Sequence, residues 1–161
     1  MTYYTSMDSP LGRLLLMSDG EALTGLYMNP LPKLETNGTE SETAAPFPEA
    51  KQQLAAYFAG ERRGFDLPLS PIGTEFQKRV WDELLNIPYG ATISYGELAR
   101  RIGDPKASRA VGLANGRNPI SVIIPCHRVI GASGKLTGYG GGLSRKETLL
   151  ALEGQARLFG P

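Results

Sequence analysis

The chain's 161 residues, 41% hydrophobic and 20% charged, exclude global disorder and supply a core for one ordinary domain or two small ones packed together. The lone cysteine, Cys126, and lone histidine, His127, rule out an intramolecular disulfide and fall short of the roughly four ligands a structural zinc site needs. A net charge of +1 hides an asymmetry: residues 1–72 carry 5 Lys/Arg against 9 Asp/Glu, whereas residues 73–161 carry 12 against 7. An imbalance of that kind hints at a polyanionic partner, although a solvated helix face would produce it too.

Residues 2–8, 12–18 and 21–28 have the length and apolar pattern of strands, and turn chemistry separates them at Ser9-Pro10-Leu11-Gly12 and Asp19-Gly20-Glu21. The expectation is an antiparallel meander. Residues 29–48, rich in Pro, Thr, Glu, Asn and Gly, read as a long loop. Leu54, Tyr57 and Phe58 stand at helical spacing within residues 49–59, and Gly60 supplies a stop. Residues 65–69 read as one more strand. Residues 1–72 thus form a small N-terminal α/β domain without visible chemistry.

Residues 73–161 form a second, mostly helical domain. It opens with Thr74 and Gln77 spaced as a capping box, followed by a stripe of Phe76, Val80, Trp81, Leu84 and Leu85. On this stripe Trp81 belongs to the core. Residues 95–102 form the next helix, with Leu98, Ala99 and Ile102 inward. Gly103-Asp104-Pro105 breaks it, and residues 106–115 resume helix with Ala107, Ala110, Val111 and Ala114 inward. Two short helices around a glycine-containing turn have the pattern of a helix-turn-helix. Arg100, Arg101, Lys106, Arg109 and Arg117 cluster on it, opposed only by Asp104, and the two features together point to DNA.

Residues 120–130 read ISVIIPCHRVI. The β-branched run has the composition of a buried strand, and Pro125 should end its pairing just before Cys126 and His127. An inert thiol and an ordinary imidazole would each be unremarkable, but neither explains why the two are neighbours. Adjacent side chains on an extended backbone point apart, so cooperation requires an irregular backbone or a bridging water. Imidazole would then take the thiol proton, leaving the reactive thiolate, and a carboxylate should orient the ring. Of the late candidates, Glu147 has a structural job in a capping box with Ser144. Glu153 ends the same helix, where its charge opposes the macrodipole, and is the better candidate for the third member.

Pro125-Cys126-His127-Arg128-Val129 resembles the active-site signature of the O6-alkylguanine–DNA alkyltransferases. The similarity runs through residues 73–154, in FQKRVWDELLNIPYGATISYGELARRIG, RAVGLANGRNP and IIPCHRVIGASGKLTGYGGGLSRKETLL. The resemblance implies an α+β fold. Its first part would be a small antiparallel sheet with a helix of the ribonuclease H-like kind, and its second a mostly helical domain with a helix-turn-helix. It also implies irreversible transfer of an alkyl group from O6-alkylguanine in double-stranded DNA to Cys126, with O4-alkylthymine as a further candidate lesion.

Several residue roles come with that resemblance. Glu153, His127, a water and Cys126 match a hydrogen-bonded relay, and Asn118 matches an asparagine joining the helix-turn-helix to the active-site segment. Arg109 matches the residue that fills the space of a flipped nucleotide, with Tyr95 beside that nucleotide. Ala107, Ala110, Gly112 and Ala114 suit close approach to a minor groove. Val129, Tyr139 and residues 138–142 match the pocket wall, where Gly140 stands in place of a frequent serine. No cofactor is implied, and a monomer is expected. Two rivals remain: a non-catalytic lesion binder, against which Cys126 argues, and a cysteine hydrolase, which would need its histidine elsewhere in the chain.

Overall fold

The computed structural model describes residues 1–28, 38–131 and 143–154. Contacts divide the chain into two compact units, residues 1–72 with 119–123 and residues 73–118 with 124–161. The segment 119–123, assigned above to the second domain, therefore packs within the first unit.

In the first unit, β1 (Tyr3–Ser9), β2 (Gly12–Ser18) and β3 (Leu23–Met28) form the expected meander. The β1–β2 register runs from Tyr3 opposite Ser18 to Ser9 opposite Gly12. The tight loop closes because the Ser9 hydroxyl accepts from Leu11 N–H and donates to the Gly12 carbonyl, and Gly12 takes a φ of +97° that a side chain would resist. At the second turn the Asp19 carboxylate accepts from the amides of Glu21 and Ala22, both at 2.9 Å. These bonds hold its pKa below the ordinary value.

Two features depart from the sequence reading. Within the expected loop, Thr39–Glu40 forms β4, parallel to β1, so the sheet order is β3-β2-β1-β4. Helix α1 begins at Phe47 and runs to Phe58, with Pro48 in its first turn, where a missing N–H costs nothing. Its Phe47, Ala50, Leu54 and Tyr57 are buried at spacings of three and four, and Leu14, Leu16, Leu23 and Leu26 of the sheet are buried too. Residues 65–69 contribute only one bridge, Leu69 to Leu23, and not a regular strand.

The second unit holds α2 (Glu75–Leu84), β5 (Ile93–Ser94), α3 (Tyr95–Arg101), α4 (Ser108–Gly116), β6 (Val129–Ile130) and α5 (Leu143–Leu152). The capping box forms as the sequence requires: the Thr74 side chain accepts from Gln77 N–H, and the Gln77 side chain accepts from Thr74 N–H. Trp81 is core, and its indole N–H donates to the Ala114 carbonyl at 2.9 Å, tying α2 to α4. Ser94 caps α3 by accepting from Glu97 N–H. Gly103, at φ +84°, turns the chain towards α4, completing the helix-turn-helix arrangement. Val111 and Ala114 are buried as expected, but Ala110 is exposed and Ala107 only half-buried. Helix α4 starts at Ser108, later than expected, so Ala107 is its cap, and Ala110, about 100° round from Val111, lies on the flank of the buried stripe. Ser144 lies inside α5 and is not its cap.

The largest correction concerns residues 120–124. They do not form a strand. Ile120 makes a single bridge to Leu26, with Leu26 N–H donating to Pro119 and Ser121 N–H donating to Leu26. Ile123 N–H then reaches back to the Ser121 carbonyl at 2.8 Å, around Val122 at φ +71°. This is a γ-turn of the strained kind, in a region that a β-branched residue rarely enters. All four aliphatic residues are nevertheless buried. The pattern reported burial correctly and period wrongly, because a short apolar run carries no period of its own.

Candidate active site

Pro125 delivers the nucleophile. At φ −82° and ψ 64° it is the centre of an inverse γ-turn, in which Cys126 N–H donates to the Ile124 carbonyl at 2.8 Å. Cys126, His127 and Arg128 then make one 3₁₀ turn before β6. With three residues per turn, successive side chains diverge widely, so the irregular backbone separates the thiol from the ring next to it.

All three side chains of this turn are buried, and each is held from a different element. The Asn118 side chain, just past α4, donates to the Ile124 carbonyl at 2.7 Å and also hydrogen-bonds the Cys126 thiol. Asn115 donates to the Cys126 carbonyl at 3.3 Å. His127 Nε2 lies 2.8 Å from Glu153 Oε2, and neither side chain reaches solvent. Arg128 grips the same carboxylate twice, Nε to Oε1 at 2.7 Å and Nη2 to Oε2 at 2.9 Å, and also donates to the Ile87 carbonyl. Its guanidinium stacks 5.8 Å from the centre of the Tyr89 ring, and the Tyr89 hydroxyl donates to the Leu152 carbonyl. On α5, Lys146 is fully buried and donates to the Val129 carbonyl at 2.6 Å.

These contacts set the protonation states. Burial alone would raise the Glu153 carboxyl, but hydrogen bonds from His127 and Arg128 outweigh it and lower the pKa to about 2. Glu153 is therefore ionised and accepts from Nε2–H. That assigns the proton of a neutral ring to Nε2 and leaves Nδ1 as a free base. Burial lowers the His127 pKa against the pull of Glu153, favouring the neutral ring. Nδ1 is buried and has no hydrogen-bond partner among the described residues. Burial pushes the Cys126 thiol up to about 11, although Asn118 and the Lys146 charge pull it down. The resting group is thus a thiol, beside a base whose acceptor nitrogen is open.

Cys126, His127, Glu153 and Asn118, all singled out from the sequence, come together here. Val129 is buried next to them, and its carbonyl is taken by Lys146. Tyr95 is half-buried at the start of α3; a β carbon added at Gly112 would meet its ring at 3.7 Å, an ordinary van der Waals contact, so the packing of α3 on α4 does not itself require a glycine there. Arg109 is exposed in the first turn of α4, as is Ala110. Ala114 is only 3% exposed, so its methyl belongs to the core and not to the outer face of α4. Tyr139, Gly140 and the rest of residues 138–142 lie outside the described residues. Sequence reasoning missed Asn115, Arg128 and Lys146 as members of the cluster. The signal was faint: Arg128 is a charge beside an apolar stretch, and Lys146 stands in the polar run of residues 144–148, readable as surface until the fold buries it.

Residues 75–155 match the family described as 6-O-methylguanine DNA methyltransferase, DNA binding domain, and residues 2–71 match its ribonuclease-like domain. A methylated-DNA–protein-cysteine methyltransferase of Methanosarcina acetivorans is 58% identical, over 94% of this chain and 98% of its own length. One from Mycolicibacterium paratuberculosis is 57% identical, over 95% of this chain and 93% of its own. The crystal structure of Mycobacterium tuberculosis O6-methylguanine methyltransferase superposes with a TM-score of 0.88 at 55% identity, covering 100% of this chain and 96% of that one. That of Mycobacterium tuberculosis OGT in complex with DNA gives 0.88 at 54% identity, over 98% and 99%. Matched in both its parts and across nearly its whole length, the chain belongs to the 6-O-methylguanine DNA methyltransferase family.

Proposed function

We propose that Cys126 is the acceptor in a single-turnover repair reaction and that His127 and Glu153 activate it. The protein is a DNA repair alkyltransferase that moves the alkyl group of O6-alkylguanine onto an active-site cysteine and inactivates itself. In the reading offered here, the thiol proton passes to His127 Nδ1 across a bridging water, the usual companion of a buried and otherwise unpartnered acceptor. Ionised Glu153 favours the imidazolium that results. The thiolate sulfur attacks the alkyl carbon, the S–C bond forms and the C–O6 bond breaks. The leaving guanine takes up a proton, so the thiol proton ends on the base. The thioether left behind is not cleaved by thiol exchange, hence one turnover.

Double-stranded DNA is the partner. The finer reading is that α4 enters the minor groove and that Arg109 occupies the space of the flipped nucleotide, with Tyr95 beside it. Extrusion costs a few kcal/mol, less for a poorly paired damaged base. The exposed Arg109 and Ala110 on α4 support this reading, as does the excess of basic over acidic residues, 12 to 7, in residues 73–161. We further propose that the protein acts as a monomer in the cytoplasm, without a cofactor, since donor and acceptor are DNA and protein.

The observation that carries the acceptor assignment is the buried thiol next in sequence to a ring whose Nε2 is committed to Glu153 and whose Nδ1 has no partner among the described residues. Incubation with a duplex containing O6-methylguanine, followed by intact mass and peptide mapping, should show one methyl on Cys126 and no more. Methylation elsewhere, or turnover beyond one equivalent, refutes the assignment. For the flipping role, Arg109→Ala should slow repair of duplex far more than reaction with free alkylated base; equal loss on both substrates refutes it.

A further inference from the structure

We propose that the Lys146 ammonium is an electrostatic positioning group, a fixed positive charge that stabilises the Cys126 thiolate while the alkyl group is transferred. The proposal rests on Cys126 being the acceptor and extends that reading to a residue outside the Cys–His–Glu relay.

Lys146 has no exposed surface and is held from α5 by a 2.6 Å bond to the carbonyl of Val129, three residues past the nucleophile. Burying an ammonium is among the most expensive choices at a core position, and a neutral donor would satisfy the same carbonyl. A charge retained there needs a use. Among the described residues, the polar groups around the thiol are His127 and Arg128 on its own turn, Lys146 on α5, Glu153 just beyond α5, and Asn115 and Asn118 at the end of α4 and just after it. The Glu153 carboxylate is engaged by His127 and Arg128, and Asn115 and Asn118 are neutral. Lys146 and Cys126 pull on one another: the lysine charge favours the thiolate, and the thiolate favours the ammonium. The same charge opposes an imidazolium at His127, but its effect there is the weakest of those acting on the ring. In a dry cluster such a charge acts with little screening. Burial holds the Lys146 pKa down at about 8, so the ammonium persists at neutral pH and is lost on the alkaline side.

The test uses the full chain and a free O6-alkylguanine base, which bypasses DNA binding, with peptide mapping of the wild type first. Alkylation away from Cys126 in the wild type would break the underlying reading; everything else addresses Lys146. Lys146→Met should slow alkylation at about pH 7.5 by roughly tenfold or more and move the rate profile about one unit alkaline, the two being equivalent. Lys146→Arg, which stays charged at any working pH, should remain within about threefold of wild type at neutral pH. Its rate relative to wild type should then climb between about pH 7.5 and 9.5, as the native lysine loses its proton. Lys146→Met reacting at the wild-type rate overturns the proposal. So does equal slowing of the Met and Arg variants with unshifted profiles, which would reduce Lys146 to a tie on Val129. Should Lys146→Met fail to fold, the Arg-to-wild-type ratio decides alone, and a flat ratio overturns the proposal.

Discussion

The two units solve the burial problem in opposite ways. Among the described residues of the first unit, the buried polar side chains are Thr5 and Ser18, small hydroxyls bonded to Glu42 and to the Ala45 carbonyl. The described part of the second unit buries Asn115, Asn118, His127, Arg128, Lys146 and Glu153. Three of these last, Arg128, Lys146 and Glu153, are ordinarily charged. An apolar set of the same volume would pack such a core at least as stably. The first unit is therefore built for stability, and the second accepts a costly interior because chemistry requires it.

The sharpest way to break that contrast is Glu153→Gln. It leaves the Arg128 guanidinium buried without its counter-charge, and breaking a buried pair costs about 3–5 kcal/mol. Denaturant unfolding should show that loss, and alkyl transfer in the folded fraction should fall as well, since His127 loses its anionic partner. A variant as stable as wild type would mean the carboxylate is not doing the structural work assigned to it. Leu54→Ala, in the apolar core of α1, should cost a comparable 2–5 kcal/mol by leaving a cavity. It should leave the transfer rate of folded protein unchanged, and a changed rate would break the separation between the units.

Acid sharpens the same comparison. Glu153 is depressed from 4.5 to about 2 in the folded protein. Its contribution to stability is thus complete above the unfolded value and disappears as pH falls from about 4.5 towards 2. His127, also lowered, adds loss below its ordinary 6.5, because the unfolded chain takes up that proton more readily. Stability followed by denaturant midpoint should decline over this range, and Glu153→Gln should flatten the decline. The smallest effect is expected at the surface. Thr74→Ala removes one half of the α2 capping box and should cost about 1 kcal/mol, without altering transfer.

The Cys126–His127 pair, the helix-turn-helix and the three meander strands were legible from the sequence because each rests on local rules. Two residues that occur once each and side by side, a glycine at a break between helices, and turn residues between apolar runs are all visible without a fold. Glu153 was legible for a subtler reason, as a charge placed against its helix dipole. What local rules could not supply was the conformation of residues 120–125. Four aliphatic residues look alike in a strand and in a pair of γ-turns, and only the pairing of Leu26 with residues 119–121 and the kink at Val122 decide between them. The exposure of Ala110 escaped for a related reason: it lies about 100° round the helix from Val111, and only the packing of α4 decides how wide its buried stripe is.

By itself, then, the sequence determined which residues could be nucleophile, base and carboxylate, and that the chain falls into two parts of opposite charge. Tertiary structure decided their protonation. Glu153 is ionised because Arg128 and His127 converge on it from the 3₁₀ turn, His127 presents Nδ1 because Nε2 is committed, and Lys146 is an interior charge and not a surface one. A pKa depends on burial and on the few ångströms around a group. Those distances are set by elements far apart in the chain, so they exist only once it has folded.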